Sequence, residues 1–571
     1  MDKNSITGLL LIGAIMLGWV YYSSPSKEEL AKQKNLKDSI ALVSKLKMER
    51  AKIIAPATPS NDSSTSTDST KLAQQSALLG AFASTAQGTE QNFTLENELI
   101  KVTVCNKGGR INTVELNKYK TYAAKPVVLF TADSSELGLS FLAQNRNIET
   151  NSLYFKPTGS SFKVVDGGQN SLSMRLYANN DSTKYIEYLY TLKGNSYDIA
   201  FKINVVGMND IIAMNTNSMN LNWKIEVPRQ EKNIDAERIV TTIYHRDTED
   251  KSDYLSETKD SKEVLPTKTK WISFKQQYFT SILTANDAFD KSVTLSTVNN
   301  KTSETTVKHL EASLPIPYGH SVSESFGMQF YFGPNNYKTL KAYDLGYEKQ
   351  IPLGWGIFGW VNKLLVINIF HFLDGYGMNY GIIILLLTVI IKVILLPLTY
   401  KAYQSQAKMK VLKPEVDEIN TKYAEDALKK QQEQMALYKK AGVSPLGGCL
   451  PMVLQMPILI ALFRFFPSSI ELRQQSFLWA HDLSTYDSIY NFGFKIPFYG
   501  DHISLFTILM TVSTLIYTRM NNQFTGANEQ MKWMSYLMPI VFLGVFNNYA
   551  AGLSYYYFLA NMFTFGQQYL F

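Results

Sequence analysis

From Ile382 to Leu396 the chain runs Ile-Ile-Ile-Leu-Leu-Leu-Thr-Val-Ile-Ile-Lys-Val-Ile-Leu-Leu, with Lys392 its one charge. Extended to Asn379–Thr399, this segment is long enough to cross a hydrocarbon core about 30 Å thick. Lipid offers the backbone no hydrogen-bond partners, so such a segment must be helical. Further apolar segments lie at about 446–466, 503–518, 534–547 and 553–569. Near the N-terminus, Ile6–Tyr22 is uncharged and follows Lys3. A cleaved leader and a retained anchor compete there. No small-residue cleavage pattern follows Tyr21 and Tyr22, which favours an anchor over residues 1–22. Six spans are therefore expected.

The part between anchor and spans is a different kind of sequence. Residues 23–91 are charged, then rich in Ser, Thr, Pro and Asp, and read as a flexible tether. From Asn92 to about 345, polar and apolar residues alternate, as at Ile100, Val102 and Val104 and along Tyr185–Tyr190. Gly108-Gly109, Gly167-Gly168 and Gly194-Asn195 supply turns. One large antiparallel β-sandwich is expected. The fold class is thus a membrane helical bundle joined to an all-β domain outside the membrane.

Gly354–Gly359 fits G-x-G-x-x-G, but its intervening residues are bulky aromatics and no βαβ unit surrounds it. Trp355, Phe358, Trp360, Leu364, Leu365, Phe370 and Phe372 instead mark 351–376 as an amphipathic segment on the outer membrane interface. The formal net charge of +7 is dispersed over 571 residues, which gives no ground for nucleic-acid recognition. With two distant cysteines, six histidines and no C-x-x-C or H-E-x-x-H spacing, neither a metal nor a cofactor is expected. Cys105 and Cys449 read as free and buried.

Loop charge gives orientation. Residues 400–445 carry nine lysines, whereas 467–502 carry only Arg473 and Lys495 as cations apart from histidine. By the positive-inside rule the first loop is cytoplasmic and the second external. A cytoplasmic N-terminus followed by an anchor and an external domain gives the same orientation. Within 400–445 two helices are expected. The first opens at Pro414 and carries Val416, Ile419 and Tyr423 along one side. The second carries Leu428, Met435 and Tyr438 and ends at Gly442.

A lysine near the middle of a span costs about 2.5–3.5 kcal/mol on insertion scales. It either snorkels to the headgroups or faces a wet chamber among the helices. Thr388 and Thr399 share its face. Thr507, Thr511, Thr514 and Thr518 fall at helical spacing on one later span, and Tyr557, Asn561, Thr564 and Gln568 do so on the last. Gln455 adds an amide. Hydroxyls of this kind also bond their own helix or fasten helices together. Three stripes with a lysine and an amide favour a shared hydrophilic groove over fastening alone. Met452, Met456, Met534 and Met538 form two i, i+4 pairs whose flexible thioethers suit an apolar slide for varied segments. Ordinary packing explains that spacing equally well.

Several segments resemble the YidC membrane protein insertase family, of the type with a large periplasmic domain. They are Leu396-Pro397-Leu398-Thr399, Ala407-Lys408-Met409, Met435–Tyr438, Pro445–Cys449, Gln455-Met456-Pro457, Glu471-Leu472-Arg473 and His481-Asp482-Leu483. The resemblance is weaker over Gly552–Gln568 and, in architecture, over the external domain. It implies an inner-membrane protein with a five-helix core holding a groove open to cytoplasm and lipid, and a periplasmic β-supersandwich. It also implies a non-enzymatic role in which nascent membrane proteins are inserted and helped to fold. The ribosome, the bilayer and a Sec translocon are the implied partners. The family's groove cation is usually arginine, and Lys392 stands at the matching place, keeping the charge without the planar fork. The family's substrate-contacting positions fall on Thr388 and Tyr557. No basic tail follows the last span, so the resemblance leaves ribosome contact to the 400–445 hairpin and the loop around Arg519–Lys532. Two rival readings are a secondary transporter with Lys392 as its site, and a membrane-anchored sugar-binding β-domain. The first expects internal repeats, and none is visible.

Overall fold

The computed structural model describes residues 77–424, 426–442, 450–524 and 529–570, without the side chains of 406, 427, 450–454, 523–524 and 529–532. The expected anchor at 1–22, most of the tether, and Cys449 lie outside the described residues. The chain divides into two compact units. One runs through Asn335 and takes back Tyr343–Gln350; the other holds Asn336–Ala342 and everything from Ile351.

In the first unit the alternating pattern becomes strands. Ile100, Val102 and Val104 are buried while Lys101 is exposed. Along Tyr185–Lys193, residues Ile186, Tyr188, Tyr190 and Leu192 point into the core. The expected single sandwich is more elaborate, with sheets of nine, six and five strands. Its strands pair antiparallel apart from the short pairing of Asn92–Glu96 with Phe162–Lys163. The nine- and six-stranded sheets meet where Trp223 stacks on Phe274 at 4.1 Å. Gly194, in the turn before Asp198–Val206, lies so close to the Val165 carbonyl that a Cβ would stand 2.0 Å from it. Cys105 is free and buried, as expected.

The packed unit starts before the expected boundary at 92. Gly80–Thr85 forms a 3-10 turn whose Phe82 is buried against Phe141. Its backbone is tied down by Asn179 N–H donating to Ala81 O and Tyr154 N–H to Thr85 O. A single large aromatic among small residues carries too little periodic signal to mark such a turn.

The second unit is helical. Helix α1 (Gly356–Asp374) is apolar and includes a π-turn over Asn362–Val366. Helix α2 (Tyr380–Val411) follows, then α3 (Lys413–Lys422), α4 (Ala427–Lys440), α5 (Leu450–Phe465), α6 (Leu505–Phe524), α7 (Glu529–Phe546) and α8 (Ala551–Leu570). The strands Tyr490–Ile496 and Gly500–Ile503 make a hairpin between α5 and α6. At 1.5 Å per residue the 32 residues of α2 span about 48 Å, more than one hydrocarbon core. The first part of the expected 400–445 loop is therefore a continuation of the same helix. α1 is long enough to cross a membrane, but one side is buried at Val361, Asn362, Val366, Ile367 and Phe370. Its other side exposes Ile357, Trp360, Leu364 and Phe372. That division suits a helix lying between protein and lipid.

Local chemistry sets the helix ends. The Asn379 side chain caps α2 by accepting from Gly381 N–H, and Pro414 sits in the first turn of α3. Gly442, beyond α4, takes φ +63°, the left-handed conformation of a helix stop.

Candidate groove

Lys392 points into the bundle. Its Nζ donates to Gln455 Oε1 at 3.1 Å on α5 and to Thr564 Oγ1 at 2.8 Å on α8, and the residue is 7% exposed. In this geometry the amine turns toward α5 and α8. α2, α6 and α8 contain no aspartate or glutamate, and neither does α5. The ammonium is met by neutral oxygens.

The hydroxyl stripes act in two ways at once. Thr388 donates to Ile384 O at 2.7 Å, Thr511 to Thr507 O at 2.8 Å, Thr514 to Met510 O at 2.7 Å and Thr564 to Ala560 O at 2.7 Å. Each hydrogen is committed to its own helix, so the oxygen faces its neighbours as an acceptor. Thr564 uses its lone pairs for Lys392. Thr514 uses its own for Asn561 Nδ2 at 3.0 Å, joining α6 to α8.

Other expected groove residues stand apart from this set. Tyr557 is half-buried, with its ring 6.0 Å from that of Phe546. Gln568 has both side-chain amide atoms buried and without a hydrogen-bond partner among the described residues. Met456, Met534 and Met538 are exposed on α5 and α7, and the Met452 side chain lies outside the described residues.

In the arm formed by α3 and α4, Val416 is buried and Gln434 donates to Asn420 at 2.7 Å across the two helices. Tyr423 lies under Lys422 and Lys429, and Tyr438 is half-buried. Leu428 and Met435, expected along the apolar side of the second helix, are exposed instead. The two arms are short and meet over few turns, which leaves part of that stripe uncovered.

Sequence periodicity missed several polar residues. Ser513 also accepts from Asn561 at 3.0 Å, and Ser554 meets Thr507 at 3.2 Å. At the other end of the bundle Asp487 caps α6. It accepts from Leu505 N–H at 2.9 Å, Phe506 N–H at 3.1 Å and the Trp479 indole at 2.9 Å, and Ser504 donates to its second oxygen. Asn547 donates to the Tyr499 and His502 carbonyls and accepts from Ser504 N–H. Asn362 ties α1 to α5 by donating to Leu353 O at 2.8 Å and Ala461 O at 2.7 Å.

Residues 372–571 match the 60Kd inner membrane protein family, and residues 92–367 match the YidC periplasmic domain. A membrane protein insertase YidC of Bacteroides fragilis is 43% identical over 98% of this chain and 90% of that protein. Another, of Parabacteroides distasonis, is 40% identical over 100% of this chain and 92% of that protein. A solved structure described as an active YidC insertase with its first transmembrane domain resolved aligns over 85% of this chain and 94% of that one. It does so at 18% identity with a TM-score of 0.34. With identity of this order over nearly its whole length, the chain belongs to the YidC membrane protein insertase family.

Proposed function

We propose that this insertase offers nascent membrane segments a polar groove from the cytoplasmic side, in which Lys392 holds an acidic or polar flank while the apolar part moves into lipid. The observation that carries the reading is the ammonium itself, buried among α2, α5 and α8 with Gln455 and Thr564 as its hydrogen-bond partners among the described residues. Neutral oxygens solvate a cation without neutralising it, so a carboxylate arriving with a substrate forms a charge-assisted pair that the resting groove lacks. The acceptor oxygens of Thr511 and Thr514 and the amides of Asn561 and Gln568 extend the polar track.

The energetics need no nucleotide. Twenty apolar residues gain about 0.3–0.6 kcal/mol each on insertion scales, roughly 6–12 kcal/mol together. That exceeds the cost of about 2.5–3.5 kcal/mol for one charge held at mid-bilayer depth. The exposed Met456, Met534 and Met538 would give an adaptable apolar side along which the segment slides. In this reading the N-terminus is cytoplasmic, the β-domain is periplasmic, and α1 lies on the outer surface. If α1 crossed as well, α2 would begin on the cytoplasmic side and the nine lysines of 400–445 would fall outside. The arm formed by α3 and α4 would then meet the ribosome, with a Sec translocon as a further partner.

The test is photocrosslinking. A photoreactive residue placed at Thr388 or at Tyr557 should capture a ribosome-stalled single-span client while its apolar segment has left the ribosome but is not yet in lipid. A client that inserts without adducts at either position would sink the groove as the route.

A further inference from the structure

The β-hairpin between α5 and α6 exposes a row of rings. Tyr490, Phe492 and Phe494 alternate on one strand, with ring centroids 5.6 and 5.9 Å apart. At the turn, Phe498 is 98% exposed in a left-handed conformation with φ +66°. Ile489, Tyr490 and Phe494 are also exposed. Asn491, Gly493 and Lys495 occupy the opposite face, so the strand is polar on one side and aromatic on the other, with Tyr490 and Phe494 exposed and Phe492 half-buried.

The hairpin is held firmly. Asn547 and Asn548, just beyond α7, both donate to the Tyr499 carbonyl, at 3.0 and 2.7 Å. The Phe498 carbonyl then rests on Gly544, where a Cβ would stand 2.8 Å away. Gly544 lies two residues inside the end of α7, which ends at Phe546. On that face of α7, Ile540 and Val541 one turn away are exposed apolar residues in a membrane helix. The turn is therefore continuous with a lipid-facing surface and lies at the depth of the last turn of α7.

We propose that the 489–499 hairpin is immersed in the outer leaflet beside α7, with its rings at the level of the glycerol backbone and upper acyl chains. Lys495 is exposed on the alternate face, its charge near Asp501. The occupant of the aromatic face is lipid, because the surface it continues is already a lipid surface.

The experiment uses the full chain in phosphatidylethanolamine–phosphatidylglycerol vesicles, with Cys105→Ser and Cys449→Ser. A fluorophore is attached at Phe498→Cys or Phe494→Cys. Val541→Cys gives the lipid reference and Val264→Cys, exposed on a β-domain strand, the water reference. Both hairpin sites should be quenched severalfold more by a nitroxide near the top of the acyl chain than by one near its end, and should resist iodide. Behaviour like that of the Val264 site would overturn the proposal. Since a label can displace a hairpin, the unsubstituted chain is also tested with a shallow photoactivatable phospholipid. Adducts within 489–499 are expected, and their absence while α7 is labelled overturns the proposal independently.

Discussion

Lys392 on α2 and Thr564 on α8 stand 172 positions apart and meet at 2.8 Å, and the threonine accepts because its own hydrogen is given to Ala560 O. The order of donation makes these oxygens a cradle for a cation. It also explains why threonine suffices where an acid would cancel the charge.

Replacing Lys392 with alanine or methionine should impair insertion of a single-span client with an acidic tail. Charge-assisted hydrogen bonds contribute about 1.5–3 kcal/mol, so groove occupancy should fall roughly ten- to a hundredfold. Lys392→Arg should retain most of the activity. Protease protection of the client's tail in vesicles measures both. Undiminished insertion by the alanine variant would remove the electrostatic role.

Asn561 is a fastener between α6 and α8 through Ser513 and Thr514. Asn561→Leu should lower the thermal stability of the purified protein by about 0.6 kcal/mol, and by no more than about 1.7. Ser513→Ala in the Asn561→Leu background should then add little, since both remove one connection. A double-mutant cycle by thermal unfolding in detergent measures the coupling.

Lys392 was legible because an apolar run admits a cation only for a reason, and the hydroxyl stripes because 3.6-residue spacing is visible in the sequence. What spacing does not encode is which stripes face each other. Ser513 is adjacent to Thr514 and belongs to no stripe, yet shares its partner. The cap at Asp487, with Ser504, His502 and Asn547, joins a loop to two helix ends far apart in sequence, and no period links them. In the β-domain, alternation gave the strands but not their partition into three sheets, since partners such as Ser218–Pro228 and Thr306–Pro317 are separated by intervening strands. Lys275 and Lys308 are both buried, which nothing in the alternation marks, since lysine is mostly a surface residue.

Asp487 should be structural at the start of α6. Asp487→Ala removes the acceptor of two α6 backbone N–H groups and of the Trp479 indole, and should cost about 1–2 kcal/mol. Asp487→Asn keeps one acceptor oxygen and should lose less. Amide hydrogen exchange at Leu505 and Phe506 should accelerate in the alanine variant while exchange in the β-domain is unchanged. Equal exchange in both would show that the cap contributes nothing.

The two buried lysines of the β-domain make its stability depend on alkaline pH. Lys275 donates to Val240 O at 2.9 Å, and Lys308 donates to Glu257 O at 2.7 Å and to Thr241 O. Burial pushes both ammonium groups down to about 8 from 10.5, because carbonyls replace only part of the lost hydration. A base with a lowered folded value is a burden when charged, so the burden is full below pH 8. Between about pH 8 and 10.5 the folded domain has released these protons while the unfolded chain still binds them, and stability rises with pH. Lys308→Met should therefore stabilise the domain at pH 7 and flatten the rise, leaving the part contributed by Lys275. Urea unfolding of the full chain, followed by hydrogen exchange in Thr306–Pro317, gives the profile. A wild-type profile that falls from pH 8 to 10 with the same slope as the variant would refute the assignment.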